Sequence, residues 1–349
     1  MHHRTQLSIQ KIFNSMKKRI GISSLALLLF YTIVDRLPAL GEEALDVLPI
    51  YVGHGSTTLI KNRCFTAVYD IGGEKQYFDS VINELTTKKK NDHPKYIDIM
   101  LISHGHKDHI SYLRGLIKKG FLINTLITND HTLAKLSLIP GFNNSVQQAI
   151  GFSATLDKNT ETITARNISD CNIDLTFEIF WGTTMRSQKL GKKYNKKKGN
   201  NDSLVVGIFG NSLKKPIIFL GDSNSIAQKY LLKYKSSALA DYNNSTLFVG
   251  HHGYSNGINS NFLRYISPSA AVISRSTNKP MLKKDLIIIN SFLKPVQDKL
   301  KTQMHEVLCS PLPKNSRYKQ HLKAGLVCPI RLSSDIFILS PNVQLNLSK

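Results

Sequence analysis

His104-Gly105-His106-Lys107-Asp108-His109 places four metal-type ligands within six residues. The eight residues before it, Tyr96-Ile97-Asp98-Ile99-Met100-Leu101-Ile102-Ser103, are mostly apolar and rich in β-favouring types, which predicts a buried strand. After it, Ile110, Leu113, Leu116 and Ile117 recur at helical spacing until Gly120 supplies a stop. The ligands therefore stand where a strand ends and a helix begins, and in α/β folds the carboxyl ends of strands are where ligands and metals gather. His104 and His106, two apart in an extended turn, can face one cation. Asp108 and His109, on the first helical turn, can face a second. A polar surface turn that happens to carry histidines is the competing reading, and this much ligand chemistry against a buried strand argues against it.

Working outward from that stretch, residues 45–52, 57–61 and 65–70 read as three short strands, with Gly53-His54-Gly55 and Lys61-Asn62-Arg63 as turns. Residues 81–85 read as helical and 122–128 as a strand. His131, just past that strand, stands alone and reads as a loop histidine. A helix is expected over 143–150 and a strand over 173–181. Strands follow at 203–209 and 216–220, the second ending in Gly221-Asp222, then a helix over 224–234. A strand at 246–249 delivers Gly250-His251-His252-Gly253, and another spans 270–274. A lone aspartate after a strand is usually a helix cap, and a lone histidine pair is usually loop polarity. Three strand ends carrying His or Asp in one chain weaken both readings.

His104-x-His106-x-Asp108-His109, then Asp222, then His251-His252-Gly253, resembles the metallo-β-lactamase superfamily. Within it the chain is similar to the branch that holds the hydrolase domain of ComEC-type DNA-uptake proteins. That branch opens with a valine-glycine-glutamine-glycine-aspartate turn, where this chain has Val52-Gly53-His54-Gly55-Ser56, and it shares the look of Asn200-Asn201-Asp202-Ser203-Leu204-Val205-Val206. The resemblance covers residues 45–275. It implies an α/β fold, an αββα sandwich of two mixed β-sheets flanked by helices, with a dinuclear metal site along the sheet edge. Carried over by position, it implies that His104 and His106 hold one metal, that Asp108, His109 and one of His251 and His252, with His252 preferred, hold the other, and that Asp222 bridges them. Asp108 and His251 would take catalytic roles, with His251 facing substrate. A further histidine common in the superfamily between the first motif and the bridging aspartate has no counterpart here, since His131 comes too early. One metal is then left with two histidines, the shared carboxylate and solvent.

Two divalent cations about 4 Å apart lower the pKa of water toward neutrality, orient it for attack and clamp a leaving oxygen. Imidazole and carboxylate without thiolate suit Zn²⁺, and also Mn²⁺ or Fe²⁺. The expected activity is a metal-dependent hydrolase acting on phosphodiester bonds, nuclease-like. The alternatives are an exported phosphoesterase of cell-envelope or small-molecule substrates, and a non-catalytic polyanion-binding protein. A redox di-iron protein would need an electron-transfer partner domain, which the sequence does not contain.

Charge favours nucleic acid or another polyanion as partner. The 349 residues carry 46 Lys and Arg against 24 Asp and Glu, a net +22, on an ordinary 41% hydrophobic content. Lys189, Lys192, Lys193, Lys196, Lys197 and Lys198, with Tyr194 among them, form a lysine-rich loop that reads either as a phosphate-tracking loop or as a solvated one. The N-terminus reads as a secretory signal: Arg4, Lys11, Lys17, Lys18 and Arg19, an uncharged run over 20–34, then Ala39-Leu40-Gly41. Residues 1–41 are thus expected to be a signal peptide, with a retained membrane anchor as the alternative, and 42–349 the hydrolase domain. Its core would span about 45–275, with an extension over 280–349. The segment 42–349 keeps 40 basic and 23 acidic residues, a net +17, so the basicity belongs to the domain. Cys64, Cys171, Cys309 and Cys328 form no Cys-x-x-Cys pair, and closeness in sequence favours Cys309 with Cys328 if any pair.

Overall fold

Several strands of this chain are apolar on both faces, and a strand of that kind has to be covered on both sides. In the computed structural model, β3 (Thr66–Ile71) is buried along its whole length. Ala67 and Tyr69 enter one hydrophobic cluster and Val68 another on the opposite face, as the period-two geometry of a strand requires, and the left-handed Asp70 breaks the alternation so that Ile71 joins Val68. The structure describes residues 45–86, 95–152, 161–165, 171, 173–182, 198–213, 215–257, 259–268 and 270–274, and four further strands at 306–309, 326–327, 331–332 and 336–337. The chain divides into Met1–Glu42 and Glu43–Lys349. The first unit, with its expected signal segment, lies outside the described residues, as do the lysines from Lys189 to Lys197 and the apolar segment 286–293.

The first sheet is built from β1 (Asp46–Pro49), β2 (Thr57–Lys61), β3, β4 (Tyr96–Leu101), β5 (Leu122–Asn129) and β6 (Val146–Phe152). The second is built from β7 (Glu161–Thr164), β8 (Thr176–Trp181), β9 (Val205–Phe209), β10 (Ile217–Phe219), β11 (Thr246–Phe248), β12 (Ala270–Ile273), β13 (Glu306–Cys309) and β14 (Leu326–Val327). The chain then returns to the first sheet with β15 (Arg331–Leu332) and β16 (Ile336–Phe337). The orders are β16-β15-β1-β2-β3-β4-β5-β6 and β14-β13-β12-β11-β10-β9-β8-β7. Both sheets are mixed. β1 to β3 pair antiparallel and β3 to β6 parallel. β7 to β10 pair antiparallel and β10 to β14 parallel. The C-terminal strands thus complete both sheets.

Helices α1 (Phe78–Thr86), α2 (Lys107–Ile110), α3 (Leu113–Lys118) and α4 (Asp130–Leu136) follow strands of the first sheet. Two single turns, α5 (Phe142–Ser145) and α6 (Lys198–Asn201), come next, and α7 (Ser225–Leu239) and α8 (Ser260–Ile266) follow strands of the second sheet. Three buried clusters define four layers. Val81, Leu85, Leu113, Leu116 and Leu136 of the helices pack on Leu59, Val68, Met100 and Leu126. Ile60, Tyr69, Leu101 and Ile127 meet Phe177, Ile179, Val206, Ile208 and Phe219 between the sheets. Val205, Ile218 and Leu220 turn the other way, onto Leu231, Leu239 and Phe262. The result is an αββα sandwich. Each large apolar side chain so buried contributes about 1.5–3 kcal/mol. Tyr69 stacks on Phe219 at 4.3 Å between the sheets, and its hydroxyl donates to the Leu204 carbonyl (2.7 Å). Leu204 N–H in turn donates to Ser103 O (2.7 Å). The sheets are therefore tied together where the His104 motif begins.

Residues 143–150 are not a helix. One turn, α5, is followed by β6, whose Val146 to Phe152 pair in parallel register with β5. The Gln-Gln-Ala stretch has good helix propensity, but the open edge of β5 supplies backbone partners that outweigh it. A disulfide that the sequence did not suggest is also present, while Cys328, and with it the expected Cys309–Cys328 pair, lies outside the described residues. Cys64, in the β2–β3 turn where Asn62 Oδ1 accepts from Cys64 N–H, is disulfide-bonded to Cys171, just before β8. The two are 107 residues apart, so proximity in sequence gave no hint. The bond closes a loop across the first sheet and the approach to the second. Replacing both cysteines with serine should cost about 2–5 kcal/mol of stability, read as a lowered Tm.

Candidate metal centre

β3, β4 and β5 run parallel in one sheet and β10, β11 and β12 in the other, so their carboxyl ends collect along one edge. Five such ends deliver polar side chains there. β3 ends in Asp70, β4 runs into Ser103 and the motif His104 to His109, and β5 ends at Asn129. β10 leads to Asp222, and β11 to His251 and His252.

All six ligands expected from the sequence come together, and His131 does not. His104, His106 and Asp222 form one group, and His109, Asp222 and His252 a second. Asp108 joins His252 in a third, together with His54. Ligand atoms in each group lie within 4.8 Å of one another. Asp222 uses different oxygens toward the two sides. Oδ1 is 3.1 Å from His109 Nε2 and 3.5 Å from His252 Nε2, and Oδ2 is 3.7 Å from His104 Nε2. Asp108 Oδ2 is 3.4 Å from His252 Nε2. Two ligands bound 2.0–2.2 Å from one tetrahedral zinc stand roughly 3.3–3.6 Å apart, and these separations cluster around that value. His251 lies at the rim, its Nε2 3.9 Å from Asp222 Oδ2 and its side chain 23% exposed. His131 sits exposed on α4, outside these groups.

Each buried imidazole is oriented from behind. His252 Nδ1 donates to the Ser274 carbonyl (2.8 Å). His109 Nδ1 donates to Asp70 Oδ2 (2.7 Å). Ser103 Oγ gives its one proton to Asp70 Oδ2 (2.9 Å), so it accepts from His104 Nδ1 (3.0 Å). All three tautomers point Nε2 into the cluster. There, His104 Nε2 and His252 Nε2 are buried and have no hydrogen-bond partner among the described residues, and His109 Nε2 and Asp222 Oδ1, also buried, face each other at 3.1 Å. An unsatisfied buried polar atom costs about 1–3 kcal/mol. Three imidazole nitrogens converging on one carboxylate, each with its other ring nitrogen committed, is the arrangement of a site that holds a divalent cation.

Backbone strain collects at the same edge. Asp70 (φ 56°), His251 (φ 49°) and His252 (φ 52°) adopt left-handed conformations, at about 1–3 kcal/mol each. Gly221, at φ 53°, brings its chain so close that a Cβ there would meet Ser103 Cβ at 2.6 Å. Asp70 was the functional residue the sequence reading passed over. Its signal was the same as for Asp222, an aspartate at the end of an apolar strand. It also accepts from Ser103 N–H (2.7 Å).

Charge follows from burial and neighbours. Burial, and then the nearby His109, hold His104 well below the ordinary histidine range, so its lone pair is available. Burial also lowers His106. Burial would lower His109 as well, but the Asp222 and Asp70 carboxylates outweigh it and raise it well above the usual value. Burial would raise Asp222, but His109 and His252 hold it far below the carboxylate range. The metal-free protein therefore carries a proton on His109 that a cation has to displace. A histidine with a raised folded pKa contributes stability that is full below its unfolded value, near 6.5, and lost as pH rises through the folded value. The chelated protein should thus lose Tm on going from neutral to alkaline pH. Metal-loaded protein should not, because affinity rises as His109 gives up its proton. A thermal-melt series with and without chelator checks this.

No family model and no curated protein matches the chain. Solved structures do. A metallo-beta-lactamase fold protein, YhfI from Bacillus subtilis, aligns over 76% of this chain and 95% of its own, at 12% identity and a TM-score of 0.47. The short form of human tRNase Z (ELAC1) aligns over 68% and 95%, at 11% identity and 0.43. A diphosphatase from the PhnP family aligns over 76% and 94%, at 11% identity and 0.41. Likenesses this distant carry no argument about activity.

Proposed function

We propose that the protein is a metal-dependent hydrolase of phosphodiester bonds that works with two divalent cations, zinc foremost. The observation that carries this reading is the convergence of three buried imidazole nitrogens on one carboxylate that faces two histidine sets. His104 and His106 would hold one cation, Asp108, His109 and His252 the other, and Asp222 both. When bound, the metals supply Lewis acidity and bring the pKa of water toward neutrality. The chain's own residues do the rest. Asp70 and Ser103 lock the imidazoles in the tautomer that presents Nε2. Asp108 stays ionised because His252 and His109 outweigh the burial that would raise it. His251, whose Nδ1–H is held by Asn256 Oδ1 (2.8 Å), offers the Nε2 lone pair at the open rim, where it can take a proton from an attacking water and then return that proton to a leaving oxygen.

Substrate class rests on charge. A groove of 840 Å³ opens beside Asp108, lined by His54, Lys75, Phe78, Lys107 and Tyr112 among others. Its two lysines are matched in number by Glu74 and Asp108, so its rings suit a planar group while the preference for nucleic acid over neutral esters comes from the domain's +17. The Cys64–Cys171 disulfide supports an exported location, since such bonds persist in oxidising compartments. It also keeps the exported phosphoesterase as the second reading. Turnover of single-stranded DNA, RNA and a chromogenic phosphodiester should be compared across salt. Nuclease activity that falls steeply with salt supports the polyanion reading. Turnover of the small diester alone supports the phosphoesterase.

A further inference from the structure

We propose that His54, in the turn between β1 and β2, is an additional protein ligand of the second metal, alongside Asp108 and His252. This rests on the dinuclear reading above and deepens it. His54 Nε2 lies 3.3 Å from Asp108 Oδ2, and His252 Nε2 lies 3.4 Å from that same oxygen. The rings of His54 and His252 are 4.8 Å apart, centroid to centroid. The three ligand atoms form one group within 4.8 Å. Separations of 3.3–3.4 Å are those of two ligands sharing a tetrahedral or slightly expanded zinc, about 3.3–3.6 Å.

The elements bearing these three side chains are joined directly to one another. Ser56 N–H donates to the Asp108 carbonyl (3.0 Å). Ser274 Oγ donates to the Gly55 carbonyl, and the Ser274 carbonyl accepts from His252 Nδ1. His54 N–H donates to Glu74 Oε1 (2.9 Å). Glycine makes this closeness feasible, since a Cβ at Gly55 would lie 2.7 Å from Asp108 O. A turn clamped to both neighbouring ligands places its histidine within the tolerance that coordination requires, which a substrate-contacting loop does not need.

The consequence is an asymmetric pair of metals. The second draws on His54, Asp108, His109, Asp222 and His252, the first only on His104, His106 and the shared Asp222. The protein should bind one divalent ion tightly and one weakly. Titration of the chelated full chain with Zn²⁺, and absorption spectra of the Co²⁺-loaded protein, test this independently of activity. His54→Gln should weaken the tight phase by at least the roughly 10–100-fold that loss of an outer-shell partner costs, leave the weak phase in place, and change the Co²⁺ spectrum. His54→Cys should restore the tight phase and add a sulfur-to-cobalt charge-transfer band. If His54→Gln keeps both phases and an unaltered Co²⁺ spectrum, or if His54→Cys folds without such a band, His54 is not a ligand. A wild-type chain that takes up no Zn²⁺ at all would instead overturn the dinuclear reading itself.

Discussion

Asp222→Ala is expected to bring metal content below one ion per chain and to abolish hydrolysis. Its two oxygens face different histidines, His109 and His252 on one side and His104 on the other, so one substitution removes a ligand from both positions. It also removes the carboxylate that His104, His109 and His252 face through Nε2. The loss in kcat/KM should exceed the roughly 10–100-fold that follows removal of an outer-shell partner. His131→Ala, on the exposed face of α4, is the matched control and should keep metals and rate. Elemental analysis together with turnover of a chromogenic phosphodiester checks both variants. Full loading and full activity in Asp222→Ala would remove Asp222 from the assignment.

Asp70→Asn is expected to have the next largest effect, although Asp70 is in neither ligand set. Its carboxylate accepts from Ser103 N–H, Ser103 Oγ–H and His109 Nδ1–H, and it is fully buried. Asparagine tolerates the left-handed backbone at this position and keeps one acceptor oxygen. It loses the charge that makes His109 a strong donor at Nδ1, and it turns an NH₂ either toward Ser103 N–H, which can only donate, or toward Ser103 Oγ and His109 Nδ1, which now donate. Metal affinity should fall roughly 10–100-fold, while the far-ultraviolet circular dichroism stays that of the folded protein. Zinc competition against a chromophoric chelator reads the shift. Unchanged affinity would mean that the Asp70–His109 contact does not orient the ligand.

The strand-end ligands were legible because each sits after a short apolar run, a local pattern. The four layers were legible for the same reason, since runs such as 96–103 are apolar on both faces and demand cover on both. What escaped the sequence reading depends on contacts between distant residues. Asp70 reads as a strand terminus until the fold brings Ser103 and His109, 33 and 39 residues on, against it. Cys64 and Cys171 meet only because the β2–β3 turn comes up against the approach to β8. β6 is a strand because β5 offers an edge, which Gln147 and Gln148 cannot announce. His54 reads as a turn polar residue until the turn is folded onto Asp108. The C-terminal residues looked like an appendage, and their pairing onto both sheets comes from non-local hydrogen bonds that no pattern in 280–349 encodes.

Two divalent cations are expected at this sheet edge, held by six residues from three chain segments, His104 to His109, Asp222 and His252. The most direct test is the number of metal ions per chain, measured by mass spectrometry on protein chelated, reloaded with excess Zn²⁺ and passed through a desalting column at neutral pH. The account predicts between one and two zinc ions retained, one of them surviving exhaustive dialysis. Protein that retains no zinc while still folded would contradict it.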